Sequence, residues 1–388
     1  MRSARVIRRP AKRAGTVALV GGLLLFAAAT AQSGWLFVLA AGVFGTVAGS
    51  ALVRARLDHV VIERSHPPRL QVGDDAPVSL VIANRAAALP ALRVEDWCEG
   101  FEPVALACPA LLRGDRAVVE TTRRAQHRGV HAGGRVHLST NAPLGFVRSR
   151  CVLQVPGSIT VVPRPVDLPG FTALEDARSS RYGVEGGARA GAGLDYIGVR
   201  DYRPGDAMRA VHWRSVARTG RLIVREFEDE AHTAVALVLV GEDAGQPPDS
   251  AFEALVTAAA SIARVAWSRG HRVDLIRPGA HLRDAGSETG LEWLAAATPT
   301  DAPLIPLVDR AVAATGHGGS IVLLTPSRGS AAGDVATAVR RAKNATCRVL
   351  VVRALSSSWA LGEDEVTTDP GAPLRTIVRG QDLAACLS

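Results

Sequence analysis

The chain has 388 residues, enough for more than one domain, and a formal net charge of +8 from 45 Lys and Arg against 37 Asp and Glu. Eight of the basic residues flank an apolar stretch near the N-terminus, and they equal the whole excess. The charge balance therefore gives no reason to expect nucleic-acid binding. The five cysteines are scattered without CxxC spacing, which argues against a zinc site or a disulfide framework.

Residues 14–53 contain no charged side chain. As a single helix this run would be about 60 Å long, about twice the hydrocarbon thickness of a bilayer. The polar break Gln32-Ser33-Gly34 divides it into two predicted transmembrane helices, 14–31 and 35–53, with Trp35 placed for the membrane interface. We therefore expect residues 1–56 to form a basic N-terminus followed by a helical hairpin in the lipid bilayer.

The flanking charges orient this hairpin. Basic residues precede the first helix and follow the second, and the connecting turn has none. The positive-inside rule then predicts a multi-pass protein of the cell membrane with the bulk of the chain in the cytoplasm. The alternative is a signal peptide cleaved after Ala29-Thr30-Ala31, a small-residue site that follows a basic and an apolar region. The second helix would then remain as a span, and the bulk of the chain would still be cytoplasmic.

Residues 57–165 contain short β-type runs separated by Gly, Pro, Asn and Asp turns, a pattern typical of a small antiparallel, immunoglobulin-like sandwich. Three histidines in this region, His127, His131 and His137, are not expected to bind a metal, because Gly133-Gly134 is interpreted as a turn between them. The predicted strands are 60–62, 78–82, 92–95, 117–122, 135–140, 151–155 and 159–162.

Residues 166–232 read as a glycine-rich loop followed by a polar segment. The glycines of 171–193 lack the neighbouring strand, helix and Lys-Ser or Lys-Thr of a phosphate-binding loop, so a flexible linker is predicted. Residues 194–230 alternate acids, arginines and aromatics with little hydrophobic periodicity. Such a pattern indicates either a recognition surface or a polar junction between domains.

The polar segment resembles the signature of a bacterial family of unknown function, DUF58, through an ordered series of short motifs. These are Arg200-Asp201-Tyr202, Pro204-Gly205-Asp206, Arg209, His212-Trp213-Arg214, Ser215 with Ala217 and Arg218, and Val224-Arg225-Glu226. Arg128-Gly129-Val130 and 141–146 resemble a second, weaker motif of the family, with Asn141 where Asp is usual. Members are typically encoded beside MoxR-type AAA+ ATPases and transglutaminase-like membrane proteins, so the resemblance implies these as partners.

Residues 233–388 alternate apolar strands with helices, which predicts a doubly wound parallel sheet and an overall α/β class with an all-β module before it. The resemblance implies that this region is similar to a von Willebrand factor type A domain. Such domains hold Mg²⁺ through Asp-Xaa-Ser-Xaa-Ser after the first strand, whereas 241–245 reads Gly-Glu-Asp-Ala-Gly. We therefore predict no metal and no cofactor. The predicted strands are 233–240, 272–277, 320–325 and 347–353, and the helices are 250–269, 290–297, 304–315 and 331–343.

The preferred functional hypothesis is a non-enzymatic, membrane-anchored scaffold or adaptor that binds a MoxR-type ATPase on the cytoplasmic side, in the assembly or maturation of a client. The arginines of the signature suit a protein interface. Within it, Asp206 is expected to cap the Pro204-Gly205 turn, and Trp213 is expected to pack as an anchor beside Arg214 or Arg218.

The alternative hypothesis is a hydrolase-type enzyme that uses Asp201, Asp206 and His212 for proton transfer on an unknown substrate. A Ser215-His212-Asp206 triad also fits the residue types. All three residues fall within one short motif, however, and no GxSxG nucleophile elbow occurs in the chain. No catalytic residue is therefore predicted.

Overall fold

A computed structural model describes residues 6–53, 55–85, 87–173, 196–202, 208, 211–227, 234–241, 245–246, 249–316, 318–359 and 370–387. The chain divides into two compact units. The first comprises Met1–Arg164 together with Leu291–Thr298, and the second comprises Pro165–Gly290 and Pro299–Ser388.

Two apolar helices form an N-terminal hairpin, α1 (Lys12–Ala31) and α2 (Gly34–Leu52). Gln32 adopts a left-handed conformation and ends α1, so the chain reverses within a short polar turn. At Gly21 an added Cβ would lie 3.1 Å from Phe44 and Val43, and its lack of a side chain lets the helices approach closely. Both helices are long and apolar enough to cross a membrane.

A short strand precedes the hairpin and joins the domain that follows it. Strand β1 (Ile7–Pro10) pairs antiparallel with the first residues of β9 (Val147–Val162). Arg8 Nη2 donates hydrogen bonds to Ala51 O at 2.8 Å and to Val53 O at 2.9 Å. Because the last carbonyls of a helix lack intrahelical partners and carry partial negative charge, the guanidinium group stabilises the end of α2.

The rest of the first unit is built from two β-sheets. A three-stranded antiparallel sheet has the order β2-β4-β7, and a six-stranded sheet has the order β1-β9-β8-β5-β6, with β3 paired parallel to β9. Their apolar side chains form a shared core that includes Leu80, Ile82, Val94 and Leu138. The strands are β2 (Val60–Ser65), β3 (Arg69–Gln71), β4 (Asp75–Asn84), β5 (Leu92–Cys98), β6 (Val104–Cys108), β7 (Arg116–Arg124) and β8 (Gly129–Thr140).

The pairing of β8 with β9 differs from the sequence prediction in two ways. Gly133 and Gly134 form a bulge within a continuous β8, not a turn. The predicted strands 151–155 and 159–162 are parts of one strand, β9, which continues through Gly157 at a φ of 148°. Glycine explains both results, because a bulge or a positive φ lets a strand bend without losing its partner.

The second unit contains a mixed α/β sheet of order β16-β15-β12-β17-β18-β19. Neighbouring strands are parallel except for β16, which is antiparallel at one edge. Every residue of β12 and β17 is buried, as expected for strands covered on both faces. The strands are β12 (Val235–Leu239), β15 (Val273–Arg277), β16 (Ala280–Leu282), β17 (Ser320–Pro326), β18 (Arg348–Ala354) and β19 (Leu374–Ile377), besides the two-residue β13 (Gly245–Gln246) and β14 (Asp249–Ser250).

Helices cover this sheet. Helices α6 (Ile305–Thr315) and α7 (Ser330–Asn344) pack on one face through a core that includes Val308, Val335 and Leu323. Helix α4 (Ala251–Ser268) contacts β12, β17 and β18. Ser250 caps its start, because its Oγ accepts the Glu253 N–H at 3.2 Å. The other helices after the hairpin are α3 (Trp213–Thr219), α5 (Ser287–Ala295) and α8 (Leu383–Leu387).

Candidate functional site

The signature segment is organised by a two-stranded hairpin. Strand β10 (Tyr196–Asp201) pairs antiparallel with β11 (Ile223–Phe227), and Asp201 lies opposite Ile223. The Tyr202 N–H extends this pairing by donating to Leu222 O at 2.8 Å. Helix α3 lies in the connection and is tied to β11, because the His212 N–H donates to Ile223 O at 2.8 Å. The hairpin thus fixes where α3 begins.

Local hydrogen bonds set the length of α3. Its first turn begins at His212, whose carbonyl accepts the N–H groups of Ser215 and Val216 at 2.9 and 3.1 Å. It ends at Gly220, which has a φ of 71° and donates its N–H to Val216 O at 2.9 Å. Glycine suits this left-handed position because it has no Cβ. The Ser-Xaa-Ala-Arg motif therefore lies on a helix of two turns.

One side-chain pair of the signature lies within hydrogen-bonding distance. His212 Nδ1 and Ser215 Oγ are 2.6 Å apart, and both side chains are partly buried. The two residues are separated by three positions at the start of α3, so the contact also stabilises the first turn of the helix. Which of the two atoms donates depends on the tautomer of the imidazole, so the histidine can either accept a hydrogen bond from the hydroxyl or donate one to it.

The outer surface of the signature combines apolar and cationic side chains. Trp213 is 58% exposed and Met208 is 53% exposed, and no residue of α3 is buried. The exposed residues of and next to α3 also include Arg214, Ala217, Arg218 and Arg221. We name this set, with Trp213 and Met208, the α3 surface. The exposure of Trp213 differs from the packed anchor expected from the sequence.

The structure describes only part of the predicted signature. Asp201 is exposed and Tyr202 is partly buried. Only the backbone of Arg200, Arg225 and Glu226 is described, in paired strands. Pro204, Gly205, Asp206 and Arg209 lie outside the described residues, and so do Glu242, Asp243 and Ala244 of the predicted vestigial metal site.

The weaker motif contains an arginine that caps another helix. Arg128 Nη1 and Nη2 donate to Ala297 O at 3.0 and 2.9 Å, just beyond the end of α5 and within the first unit. Asn141 Oδ1, in the weaker motif, accepts a hydrogen bond from Arg148 Nε at 3.0 Å. Both motif residues therefore have hydrogen-bonding roles in this unit.

Sequence reasoning missed a buried ion-pair cluster between the two β-sheets. Asp96 of β5 is fully buried and pairs with Arg64 of β2 through Oδ1. Its Oδ2 accepts a hydrogen bond from Arg123 Nη1 of β7 at 2.7 Å. We name these three residues the buried triad. Side chains of residues 92–98 alternate between the interior and the surface. Asp96 is an acid two residues after Val94 and so lies on the inward face, and this was the sequence signal for the buried triad.

Further contacts complete the buried triad. Arg123 Nη2 donates to Glu102 O at 2.6 Å, and its guanidinium lies 5.3 Å from the centre of the Phe101 ring. Burial lowers the pKa of Arg123, and the attraction of Asp96 opposes this change. The triad has few exposed atoms, so it joins the sheets and does not offer a surface to a substrate.

The histidines of the first unit do not converge. Because of the bulge at Gly133, His131 is buried against Phe101 while His137 stacks on Trp97. His131 Nε2 lies 3.0 Å from His127 O. Within the part of the chain that the structure describes, no three His, Cys, Asp or Glu side chains form a group able to hold a metal ion.

Comparison with known proteins gives one informative result. No curated protein matches the chain. Solved structures of the CARDB domain of a Pyrococcus furiosus protein match weakly. A crystal structure described as a complex with di-metal ions has 13% identity, and an NMR structure has 12%. They cover 27% and 26% of this chain and 94% of theirs, each with a TM-score of 0.20, too low to carry an argument. Residues 198–287, which include the whole signature from Arg200 to Glu226, match the family described as "Protein of unknown function DUF58", so this part of the chain is similar to a DUF58 domain.

Proposed function

We propose that this protein is a membrane-anchored, non-enzymatic scaffold or adaptor whose α3 surface binds a protein partner. The observation that carries the proposal is the exposure of Trp213, at 58%, beside the exposed arginines Arg214 and Arg218. Tryptophan and arginine are the residues that most often dominate binding energy at protein interfaces. Their exposure favours an open interface over a buried junction between domains.

The hairpin supports the membrane anchor and its orientation. Since β1 pairs with β9, the chain before α1 and the chain after α2 belong to the same β-domain, which favours a location of both on the same side of the bilayer. The basic residues on that side favour a cytoplasmic location for it by the positive-inside rule. The pairing also favours a retained α1 over a cleaved signal peptide, because cleavage would separate β1 from the sheet that it completes.

The partner that we propose is a MoxR-type AAA+ ATPase, with a transglutaminase-like membrane protein as a second component. This proposal rests on the family resemblance of the signature. The likeness of the second unit to a von Willebrand factor type A domain belongs to the same proposal, and its mixed sheet with helical cover is compatible with it. Such an assembly would act in the maturation of a client.

The test is capture of the ATPase by the full-length chain purified from membranes in detergent. Trp213→Ala and Arg218→Ala are expected to weaken capture at least tenfold each, since interface hot spots cost about 2 kcal/mol or more when truncated. Arg340→Ala, at an exposed position on α7, is the matched control and leaves capture unchanged. Equal capture by all three variants would contradict the proposed interface.

One contact favours a second candidate function, a hydrolase-type enzyme. The His212 Nδ1 to Ser215 Oγ distance of 2.6 Å is short enough for a histidine to activate a hydroxyl. The full-length chain would then hydrolyse generic ester or phosphoester substrates. Ser215→Ala and His212→Asn would both abolish turnover, and Asp201→Asn would reduce it. Turnover that survives Ser215→Ala would exclude this hydroxyl as the nucleophile.

A further inference from the structure

The strand register places three loops of the first unit at the end from which the hairpin emerges. Strand β2 begins there, and Val60 lies opposite Asn84 at the end of β4. Pro10, next to α1, lies opposite Val147 at the start of β9. The loops 85–91, 109–115 and 141–146 therefore share this end, which we name the hairpin end.

Hydrogen bonds hold the three loops together. Leu89 and Leu111 pair through both of their backbone groups, which joins the first two loops. Thr140 Oγ1 donates to Ala91 O at 3.0 Å, and the Ala11 N–H donates to Phe146 O at 2.8 Å. The hairpin end is thus a defined surface directly beside the membrane helices.

The hairpin end exposes apolar loop tips among many cations. Leu112 is 67% exposed and Leu144 is 54% exposed. Carboxylates at this end include Asp58 and Asp115, and Asp115 Oδ2 accepts the Leu112 N–H at 2.9 Å. Exposed cations at this end, among the residues that the structure describes, include Arg9, Lys12, Arg13, Arg56, Arg85, Arg113, Arg116 and Arg148. This composition is typical of protein surfaces that lie against an anionic membrane.

Three of these arginines surround a groove of about 240 Å³. Arg85, Arg113 and Arg116 line it together with apolar side chains of β2 and β4, including Val61 and Val81. Glu63 also lines the groove. Within the described chain no carboxylate lies within 4.0 Å of these three guanidinium groups. The groove therefore combines apolar side chains with three guanidinium groups, and it lies next to the hairpin end.

We propose that this groove binds the headgroup of an anionic phospholipid of the membrane that holds the hairpin. Arginine binds phosphate oxygens through paired N–H groups, and the apolar side chains of the groove suit the glycerol and upper acyl carbons. Leu112 and Leu144 enter the headgroup region and hold the domain against the bilayer. The proposal requires the hairpin to span the membrane, and it is independent of the partner that binds the α3 surface.

The experiment uses the full-length chain in nanodiscs that contain phosphatidylcholine and phosphatidylglycerol, followed by native mass spectrometry of the lipids that stay bound. The wild type is expected to retain phosphatidylglycerol preferentially. The triple variant Arg85→Gln, Arg113→Gln, Arg116→Gln is expected to lose at least tenfold of this preference, since one cation near an anionic surface changes binding about fivefold. The matched control is Arg283→Gln, Arg310→Gln, Arg340→Gln, which removes three exposed charges from the second unit and keeps the preference.

Four results would overturn the proposal, three of them concerning the lipid and one a protein. The first is a wild type without lipid preference, and the second is an equal loss in both triple variants. The third is displacement of the lipid by inorganic phosphate in solution, which would show a site for free anions. Co-purification of an acidic protein that the groove variant alone loses would assign the groove to a protein partner. Capture of the ATPase by the groove variant is expected to equal that of the wild type, so failure here is distinguishable from failure of the α3 surface.

Discussion

Replacing Asp96 with asparagine tests whether the buried triad holds the two β-sheets together. The side chain is fully buried, and its oxygens face one arginine from β2 and another from β7. The amide would keep the size of the side chain but leave two guanidinium groups buried without a counter-charge. Breaking a buried ion pair in this way costs about 3–5 kcal/mol. Domains of this kind are stable by about 5–15 kcal/mol, so the variant would lose a large share of its stability.

Hydrogen exchange measured by mass spectrometry reports this loss locally. Peptides from β5 and β7 in Asp96→Asn are expected to exchange about 10²- to 10⁴-fold faster than in the wild type, because each 1.4 kcal/mol corresponds to a factor of ten. Peptides from α4, in the other unit, are expected to keep their rates. The full-length protein in detergent is used, so that β1 remains in its sheet.

Glu95→Gln is the matched control, since it removes one carboxylate from the neighbouring position on the same strand. Glu95 Oε1 accepts a hydrogen bond from Arg93 Nε at 2.9 Å, and the Arg93 side chain is 66% exposed. An exposed pair of this kind contributes about 1 kcal/mol or less. If Asp96→Asn changed exchange no more than Glu95→Gln does, the inference that the triad joins the sheets would be wrong. A variant in which Met, Leu and Met replace the three triad residues is expected to lose less stability than Asp96→Asn alone, because it leaves no buried charge.

Three further changes test other parts of the structure. Gly290→Ala places a Cβ 2.6 Å from a tryptophan ring and is expected to lower the free energy of unfolding by about 1–3 kcal/mol. Gly333→Ala, in open space on α7, is expected to raise the free energy of unfolding by about 1 kcal/mol. Equal melting temperatures of the two variants would contradict both expectations. Burial lowers the pKa of His281, so the unfolded chain binds the proton more readily and stability falls as the pH drops below about 6.5. Thermal melts at several pH values should show that the stability of His281→Gln falls less steeply with decreasing pH than that of the wild type. Identical pH profiles of the two proteins would refute this role of His281. Burial raises the pKa of the Cys347 thiol, so maleimide should label Cys347 much more slowly than Cys386 at neutral pH. Comparable labelling rates of the two thiols, measured by mass spectrometry, would argue against a buried Cys347.

The sequence predicts the elements that carry a strong local pattern. The uncharged run from 14 to 53 identifies both hairpin helices, and the long apolar strands and helices of the second unit lie within a few residues of their predicted positions. Short edge strands carry little pattern. Neither β16 nor β19, of three and four residues, could be distinguished from a loop.

Contacts between distant parts of the chain were harder to predict. Two of the four residues of β1 are arginines and the last is proline, so the sequence indicates only a membrane flank. The pairing of β1 with β9 depends on a strand about 140 residues away. The signature was recognised from its ordered motifs, yet the exposure of Trp213 and the contact of His212 with Ser215 depend on a short helix that has no hydrophobic period. The burial of Asp96 was also missed, because the predicted strand 92–95 stops one residue before it, although alternation along the full β5 puts Asp96 on the inward face.

The position of β1 affects both the synthesis of the protein and its truncation. At about 5–20 residues per second the ribosome needs on the order of ten seconds to make β9 after β1, and during that time the first strand has no partner. A version that starts at Leu57, an obvious choice for avoiding detergent, would leave the backbone of 147–150 uncovered at the rim of its sheet. Such rims recruit strands from other molecules, so that shortened protein would tend to form aggregates even though its own folded body is intact.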